Sequence, residues 1–436
     1  MENGARGFDA AVLGTSYNAR DLGVRPRVLV QANTIDDVVA AVKRAGRENL
    51  KISICSGGHS WAQNHLRDGG LMLDLSRLDE LQIDVAGRRA IAGPGNDGSR
   101  VNARLMKHGL FFPVAHCPGV GLGGFLLQGG FGWNSRALGL GCESVSGIDV
   151  VLADGRLVHA NERENADIFW AARGAGPGFF GVVVRFHLRL HPMPKFVGMV
   201  LQVFRMKHLE EVFSWAETVA PGVSRAVEFQ ILLTSGAFGL FAPGIEVAVP
   251  VLANSWKEAR EATAYLTESP IRKKASIALP LLPVSIGLMQ RGAARTHFPD
   301  GMHWCVDNMW TNSAMAQLLP GLRRVADTLP PSPSHALWLN WRPPASRGDM
   351  AFSVEANTYI ALYGEWRRAA DDAKYANWAT DHMQAMASMS AGIQLADENL
   401  GKRPARFLSD TNMARLDRLR ATHDPAGRFH SYRGRL

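Results

Sequence analysis

Cysteine is scarce in this chain. Four thiols in 436 residues, Cys55, Cys117, Cys142 and Cys305, form no disulfide framework and no CxxC metal pair, so each needs its own explanation. Long apolar runs are scarce too. The oiliest stretch, ASIALPLLPVSIGLM at 275–289, carries Pro280 and Pro283 and is too short to span a bilayer, so it reads as core or as a lid over a pocket. The start, MENGARGFDAAVLG, lacks a basic segment followed by an apolar one; the expectation is no secretory signal and a cytoplasmic protein. No charge block, Gly/Ser tract or Pro tract argues for disorder, and no linker or short repeat stands out.

What is present is an ordinary globular composition, 46% hydrophobic and 20% charged, long enough for two or more domains. The net charge of +8 invites a nucleic-acid reading, but the basic residues are spread along the chain. Only the tail from Lys402 to Arg435 is Arg-rich. It reads first as a solvated helix face, with anion binding as the alternative.

RVLVQAN (27–33) predicts a strand, and Thr34 to Glu48 a helix capped by Asn33 or Thr34, with Val38, Val39 and Val42 at helical spacing. KISICSGG (51–58) predicts a second strand running into a glycine turn. LMLDLS, RAIAGPG and IDVVLADGRLV are further strand-like pieces. After HPMP (191–194) the glycine clusters thin out and tryptophans gather: Trp304, Trp310, Trp338, Trp341 and Trp366. Ala351 to Trp366 alternates as one long strand would, placing Glu355, Tyr359, Tyr363 and Glu365 on one face, fit to line a cavity. TNMARLDRLRATH, beyond 399, predicts a basic helix.

Two constellations carry chemistry. Ser56-Gly57-Gly58-His59-Ser60 ends a strand, where glycines let backbone N–H groups converge on a phosphate. From His116, the run HCPGVGLGGFLLQGGFG contains GxGxxG at 119–124, the pattern of a Rossmann dinucleotide site. Its context argues against that reading, because Pro113 and Pro118 precede it and Gly129, Gly130 and Gly132 follow. So many glycines imply backbone wrapped closely around a planar or phosphorylated group, with Cys117 at the head of the wrap. Cys55, Cys142 and Cys305 suit small buried hydrophobes.

The order SGGHSW, CPGVGLGGFLLQGGFGWNSRALGL, DVVLADGRLV, NADIFWAARGAGPGFFGVVVRF resembles the berberine-bridge-enzyme-like branch of the vanillyl-alcohol-oxidase flavoproteins, which includes oligosaccharide oxidases and 6-hydroxynicotine oxidases. The likeness covers about 25–192 and resumes at about 400–430. It implies an α+β fold: a PCMH-type FAD-binding domain of two α/β subdomains over 1–192, a substrate domain with an antiparallel sheet covered by helices over 193–398, and a segment, 399–436, returning to the first. By the same resemblance Ser56, Gly57, Gly58 and Ser60 hold the pyrophosphate, His59 bonds the flavin 8α-methyl and Cys117 bonds flavin C6. Gly121, Gly124 and Gly130 line the cofactor, and Gly181, Val182 and Val183 close over it. The tail departs from the relatives, with Phe429-His430-Ser431-Tyr432 where they often carry an Asn-rich ending, and Tyr432 is expected to reach the flavin. Val120, three residues after the cysteine, is small enough to admit dioxygen, which implies an oxidase releasing hydrogen peroxide.

One departure concerns the base. Sugar-oxidising relatives carry a tyrosine in a segment like YxNYxDE; the nearest match, Gly392-Ile393-Gln394-Leu395-Ala396-Asp397-Glu398, places Leu395 there. Tyr359, Tyr363 and Glu365 become the candidate bases. The expected partners are a small-molecule substrate and O2, with no nucleic acid and no membrane. The expected reaction is hydride transfer from an alcohol, a hemiacetal or a related C–H substrate, with amine oxidation and a low-turnover flavin carrier as alternatives. Tryptophans in the second half suit stacking on a sugar or aromatic ring as well as filling a core.

Overall fold

The computed structural model describes residues 1–236 and 242–435. Near its start, Thr34 caps the helix Ile35–Arg47: its side chain accepts from Asp37 N at 3.2 Å, and the Asp37 carboxylate accepts from Thr34 N at 2.9 Å. Val38, Ala41, Val42 and Ala45 are thereby turned inward against a three-stranded parallel sheet in the order Val28–Gln31, Leu71–Asp74, Ile52–Cys55. The chain end returns to the outer edge of this sheet. Ile52 N donates to Arg428 O at 2.7 Å and His430 N to Ile52 O at 2.9 Å, while Phe429 joins the same core.

A five-stranded antiparallel sheet follows, in the order Leu81–Asp84, Arg89–Ala92, Gly181–Arg189, Val145–Leu152, Leu157–Ala160. The tight Asp154-Gly155 turn, with φ of 83° at Gly155, joins its last two strands in sequence as the motif predicts.

The remaining chain builds a seven-stranded antiparallel sheet ordered Ile277–Pro283, Phe196–Arg205, Gly244–Ala253, Gln230–Thr234, His335–Asn340, Thr358–Trp366, His303–Thr311. Helices Leu209–Val219, Met315–Asp327 and Trp378–Ala385 bury their apolar sides against one face. The other face turns toward a cavity. The fold class is thus α+β, with an antiparallel sheet covered by helices on one side.

Three expectations need correction. The long strand starts at Thr358, not Ala351, because Ala351 N and Phe352 N are tied to Trp170 O and Arg173 O in another region. Glu355 therefore lies off the strand, bonded by Trp341 Nε1 at 2.7 Å and Arg347 Nε at 2.6 Å. Second, Trp304, Trp310, Trp338, Trp341 and Trp366 are all buried in apolar clusters and none lines the cavity, so they fill cores rather than stack on a ligand. Third, 275–289, read as core or as a lid over a pocket, is core only in part: it is an edge strand, Ile277–Pro283, leading into the helix Ile286–Thr296, in which Ile286 and Met289 are buried in a core while Leu282 and Leu288 are exposed (42% and 52%) and line the cavity.

Candidate active site

The cavity measures about 860 Å³, near the upper end for small-molecule sites. One half is built by the glycine loops. The strand Ile52–Cys55 delivers Ser56–Ser60 to its wall, and the loop from Ala115 delivers His116, Cys117, Val120, Gly121, Gly123 and Gly124. The two loops touch backbone to backbone: a Cβ added at Gly57 would lie 2.5 Å from Gly121 N. Gly58, at φ 69°, has no room for a side chain either, because its Cβ would meet Thr15 O at 1.8 Å.

His59 stacks on Tyr17, ring centroids 4.3 Å apart and 17° from parallel. Its Nδ1 is buried without a hydrogen-bond partner, and burial pulls the imidazole down to about 4, against the opposing charges of Asp97 and Asp300, so it is neutral near pH 7. Burial pushes the Cys117 thiol up to about 12, helped by Asp300, Asp97, Glu365 and Asp397. His116 is anchored through Nε2 to Glu228 Oε2 at 2.7 Å, and Glu228 Oε1 accepts from Asn134 N at 2.7 Å.

The other half is floored by the seven-stranded sheet. Here the structure assembles a group the sequence reading did not: the Asp397 carboxyl accepts from Tyr359 Oη at 2.5 Å and Tyr363 Oη at 2.8 Å on Oδ2, and from Trp61 Nε1 at 2.7 Å on Oδ1. Tyr359 and Tyr363 are four apart on one strand, hence on one face. Burial raises Asp397 above the ordinary carboxyl range although the three donors oppose it, and burial raises both tyrosines well above theirs. The signal in the sequence is the segment 392–398, where Asp397 stands two residues after Leu395.

The remaining candidates divide. Ser56, Gly57, Gly58, His59, Ser60, Cys117, Val120, Gly121, Gly124, Gly181, Val183, Tyr359 and Tyr363 line the cavity. Gly130 does not; it packs against Phe125 and Gly141. Val182 alternates away into the core of the parallel sheet. Tyr432 turns its hydroxyl to Ala175 O at 2.6 Å, outside the wall. Glu365 shares the face of Tyr363 but is fully buried, its Oε1 3.3 Å from His335 Nδ1. Leu395 is buried, whereas its neighbours Gln394, Ala396 and Asp397 reach the cavity. The GxGxxG helix, Leu122–Leu127, is entered from a loop and not from a strand, which removes the Rossmann geometry.

Residues 26–161 match the model of the FAD binding domain family. Across 428 residues, 95% of this chain and 92% of the relative, the sequence is 30% identical to the FAD-linked oxidoreductase nodO of Hypoxylon pulicicidum. The chain belongs to the FAD-linked oxidoreductases. Another relative of this oxidoreductase is a carbohydrate oxidase of Microdochium nivale, 35% identical over 58% of this chain and 54% of that one. The fold of the present chain is that of 6-hydroxy-D-nicotine oxidase from Arthrobacter nicotinovorans (TM-score 0.85, 23% identity, 98% and 95% of the two chains) and of the berberine-bridge-enzyme-like protein 1 of Physcomitrella patens (TM-score 0.85, 18% identity, 99% and 95%). The cavity of this FAD-linked oxidoreductase suits its cofactor: at Gly57 and Gly121 two glycine loops meet too closely for a Cβ, and His59, which lines the same wall, has a buried Nδ1 without a hydrogen-bond partner.

Among the described residues no helix is long and apolar enough to cross a membrane.

Proposed function

We propose that this FAD-linked oxidoreductase is an oxidase that holds FAD covalently through His59 and Cys117 and oxidises a CH–OH group of a largely apolar small molecule, with dioxygen as acceptor. The observation that carries this reading is the Asp397 carboxyl at the cavity wall, engaged by two tyrosine hydroxyls in a site that also holds His59 and Cys117. FAD, when bound, supplies the hydride acceptor and returns the electrons to dioxygen as hydrogen peroxide.

The chain's own part is positioning and proton transfer. A substrate hydroxyl beside Tyr363 gives its proton to Tyr363 Oη as the tyrosine proton passes to Asp397 Oδ2 over 2.8 Å. Trp61 and Tyr359 hold the carboxyl in place throughout. His59 and Cys117 fix the cofactor; Ser56, Gly57, Gly58 and Ser60 receive its pyrophosphate; Gly121, Gly124, Gly181 and Val183 form its bed; and Val120 leaves the oxygen approach open. In this arrangement 1–192 and 399–436 bind the cofactor and 193–398 binds the substrate. Apolar side chains such as Met199, Leu201, Leu279 and Met289 line the substrate half and favour a hydrocarbon body over a bare sugar.

A second reading, oxidation of an amine C–N bond, is favoured by Leu395, which supplies no hydroxyl at the position of the usual base; a neutral amine reacts without a strong one. The test is to denature the yellow protein in acid, ask whether the colour stays on the polypeptide, and map the modified peptides by mass. Flavin on peptides holding both His59 and Cys117 supports the covalent assignment, and full release to the supernatant removes it. A panel of alcohols, sugars and amines, read by flavin bleaching, then separates the two substrate readings. Bleaching by dithionite alone would instead indicate a flavin carrier.

A further inference from the structure

Outside the cavity, three neighbouring strands of the five-stranded sheet gather side chains of metal-ligating type. Asp149 on Val145–Leu152, His159 on Leu157–Ala160 and His187 on Gly181–Arg189 bring one ligating atom each within 4.8 Å of the others, and none of the three lines the cavity. Strand pairing sets the group. Asp149 stands directly opposite His159 on one side and Arg185 on the other, and His187 stands opposite Gly147. The ladder shifts register between Asp149 and Val150, and such an irregularity re-aims the side chains beside it. Past the shift, Val151, Val182 and Val184 are buried in the core shared with the parallel sheet. Before it, the His159, His187 and Asp149 side chains stay 37%, 27% and 17% exposed, so an ion reaches them from solvent.

Gly147 makes room for the rings: a Cβ there would stand 3.1 Å from His159 Cε1. The two imidazoles meet edge to face, with centroids 5.0 Å apart and planes perpendicular. Both turn a nitrogen to one oxygen. Asp149 Oδ1 lies 2.7 Å from His159 Nδ1 and 3.1 Å from His187 Nε2. The other carboxylate oxygen faces Arg185, with Nη1 3.6 Å from Oδ2. Two imidazole nitrogens and a carboxylate oxygen are a zinc donor set, and tetrahedral bonds of roughly 2.0–2.2 Å put ligand atoms about 3.3 Å apart. The hydrogen-bonded spacings at Oδ1 fall just short of that, so a small outward movement of the rings opens the group to an ion.

We propose that Asp149, His159 and His187 form a binding site for a divalent transition-metal ion of the zinc type, with water as fourth ligand, that pins three strands together. Binding involves no redox change. Each neutral imidazole carries its proton on the nitrogen turned away from the metal, and three metal–ligand bonds replace the two hydrogen bonds. Arg185 stays beside Oδ2 and keeps the carboxylate oriented. Mg2+, which takes oxygen ligands, does not suit a group with two imidazoles. Gly181 and Val183, on the strand of His187, line the cavity, so the ion braces a cavity wall from outside it. The site is independent of the oxidase reading.

The full-length protein, freed of metal with EDTA, is titrated with Zn2+ by calorimetry, and Tm is followed in parallel; the same is done for H159Q, H187Q and H108Q. Glutamine keeps a hydrogen bond to Asp149 but supplies no ring nitrogen, and His108 is an exposed histidine outside the group. The wild type and H108Q are expected to take up one equivalent of Zn2+ with a rise in Tm, and no Mg2+. H159Q and H187Q, each lacking one of three protein ligands, are expected to bind that equivalent at least about tenfold more weakly. Far-UV circular dichroism checks the fold of each variant, and H159Q, on an edge strand, carries the comparison if H187Q does not fold. No uptake of Zn2+ by the wild type, equal uptake of Mg2+, or equal Zn2+ affinity in the wild type and the folded variants at 159 and 187 would overturn the proposal.

Discussion

Trp61 Nε1 donates to Asp397 Oδ1 at 2.7 Å, joining residues 336 positions apart. The contact ties the loop that carries His59 to the carboxyl that holds both tyrosines. It links the proposed cofactor attachment to the proposed proton acceptor through a single indole.

Replacing Asp397 by Asn removes the proton acceptor and leaves Tyr359 and Tyr363 competing for one amide oxygen. Flavin reduction by substrate is expected to slow about a hundredfold or more, with the flavin still attached. Because burial raises Asp397, the wild-type reduction rate should climb with pH as that proton is lost. Stopped-flow reduction across pH checks both points: a D397N profile that keeps the same rising limb would exclude Asp397 as its source.

Gly57 permits the approach of Gly121. G57A pushes the two loops apart at the cradle, so the purified variant should carry much less flavin per chain than the wild type at a similar far-UV circular dichroism. Full flavin occupancy would show that the cradle tolerates the displacement.

Val120 lines the cavity. V120L is expected to slow reoxidation by dioxygen about tenfold, a barrier change near 1.4 kcal/mol, without altering reduction. Equal reoxidation rates in the two proteins would remove the gating role.

Arg403 grips Asp307 by two bonds, Nε to Oδ2 at 2.8 Å and Nη2 to Oδ1 at 2.5 Å, in a site where the two side chains are only 5% and 1% exposed. R403A strands a buried carboxyl and should cost about 3–5 kcal/mol, measured by urea unfolding. The double variant R403M/D307L should recover much of it; a loss under about 1 kcal/mol in R403A would show the pair to be dispensable.

His65 is buried beside Ser16 Oγ, and burial, with Arg433 and Arg67, lowers it from 6.5 to about 4. A depressed histidine is protonated more readily in the unfolded chain. Its contribution is therefore complete above pH 6.5 and falls as the pH drops toward 4, by about 3 kcal/mol in all. Calorimetry between pH 7 and 4.5 should show Tm falling along this course, and H65Q should flatten it.

Much of the loop-built half of the cavity was legible in the chain because it is made of contiguous segments. A strand, two glycines and His59 stand together in sequence, as do Cys117, Val120 and the next glycines, and glycine clustering is a local signal of close backbone approach. Helix Ile35–Arg47 was equally plain, since cap and apolar spacing are local too. The misplaced residues failed for tertiary reasons. Gly130, Val182 and Tyr432 lie close in sequence to wall residues, but strand alternation and neighbouring side chains turn them elsewhere.

The sheet-built half of the cavity depended on the tertiary structure. Asp397 acquires its meaning only when Trp61, Tyr359 and Tyr363 converge on it from two distant segments. In the five-stranded sheet, Asp149, His159 and His187 are likewise brought together by strand pairing. By itself the sequence determined the fold class, the cofactor family and the glycine loops that meet at the cavity wall, because close backbone approach is written in consecutive residues. Which carboxyl gathers the two tyrosines, and which face of the sheet meets the cavity, were decided by long-range packing, since burial and hydrogen-bond partners belong to neighbours in space.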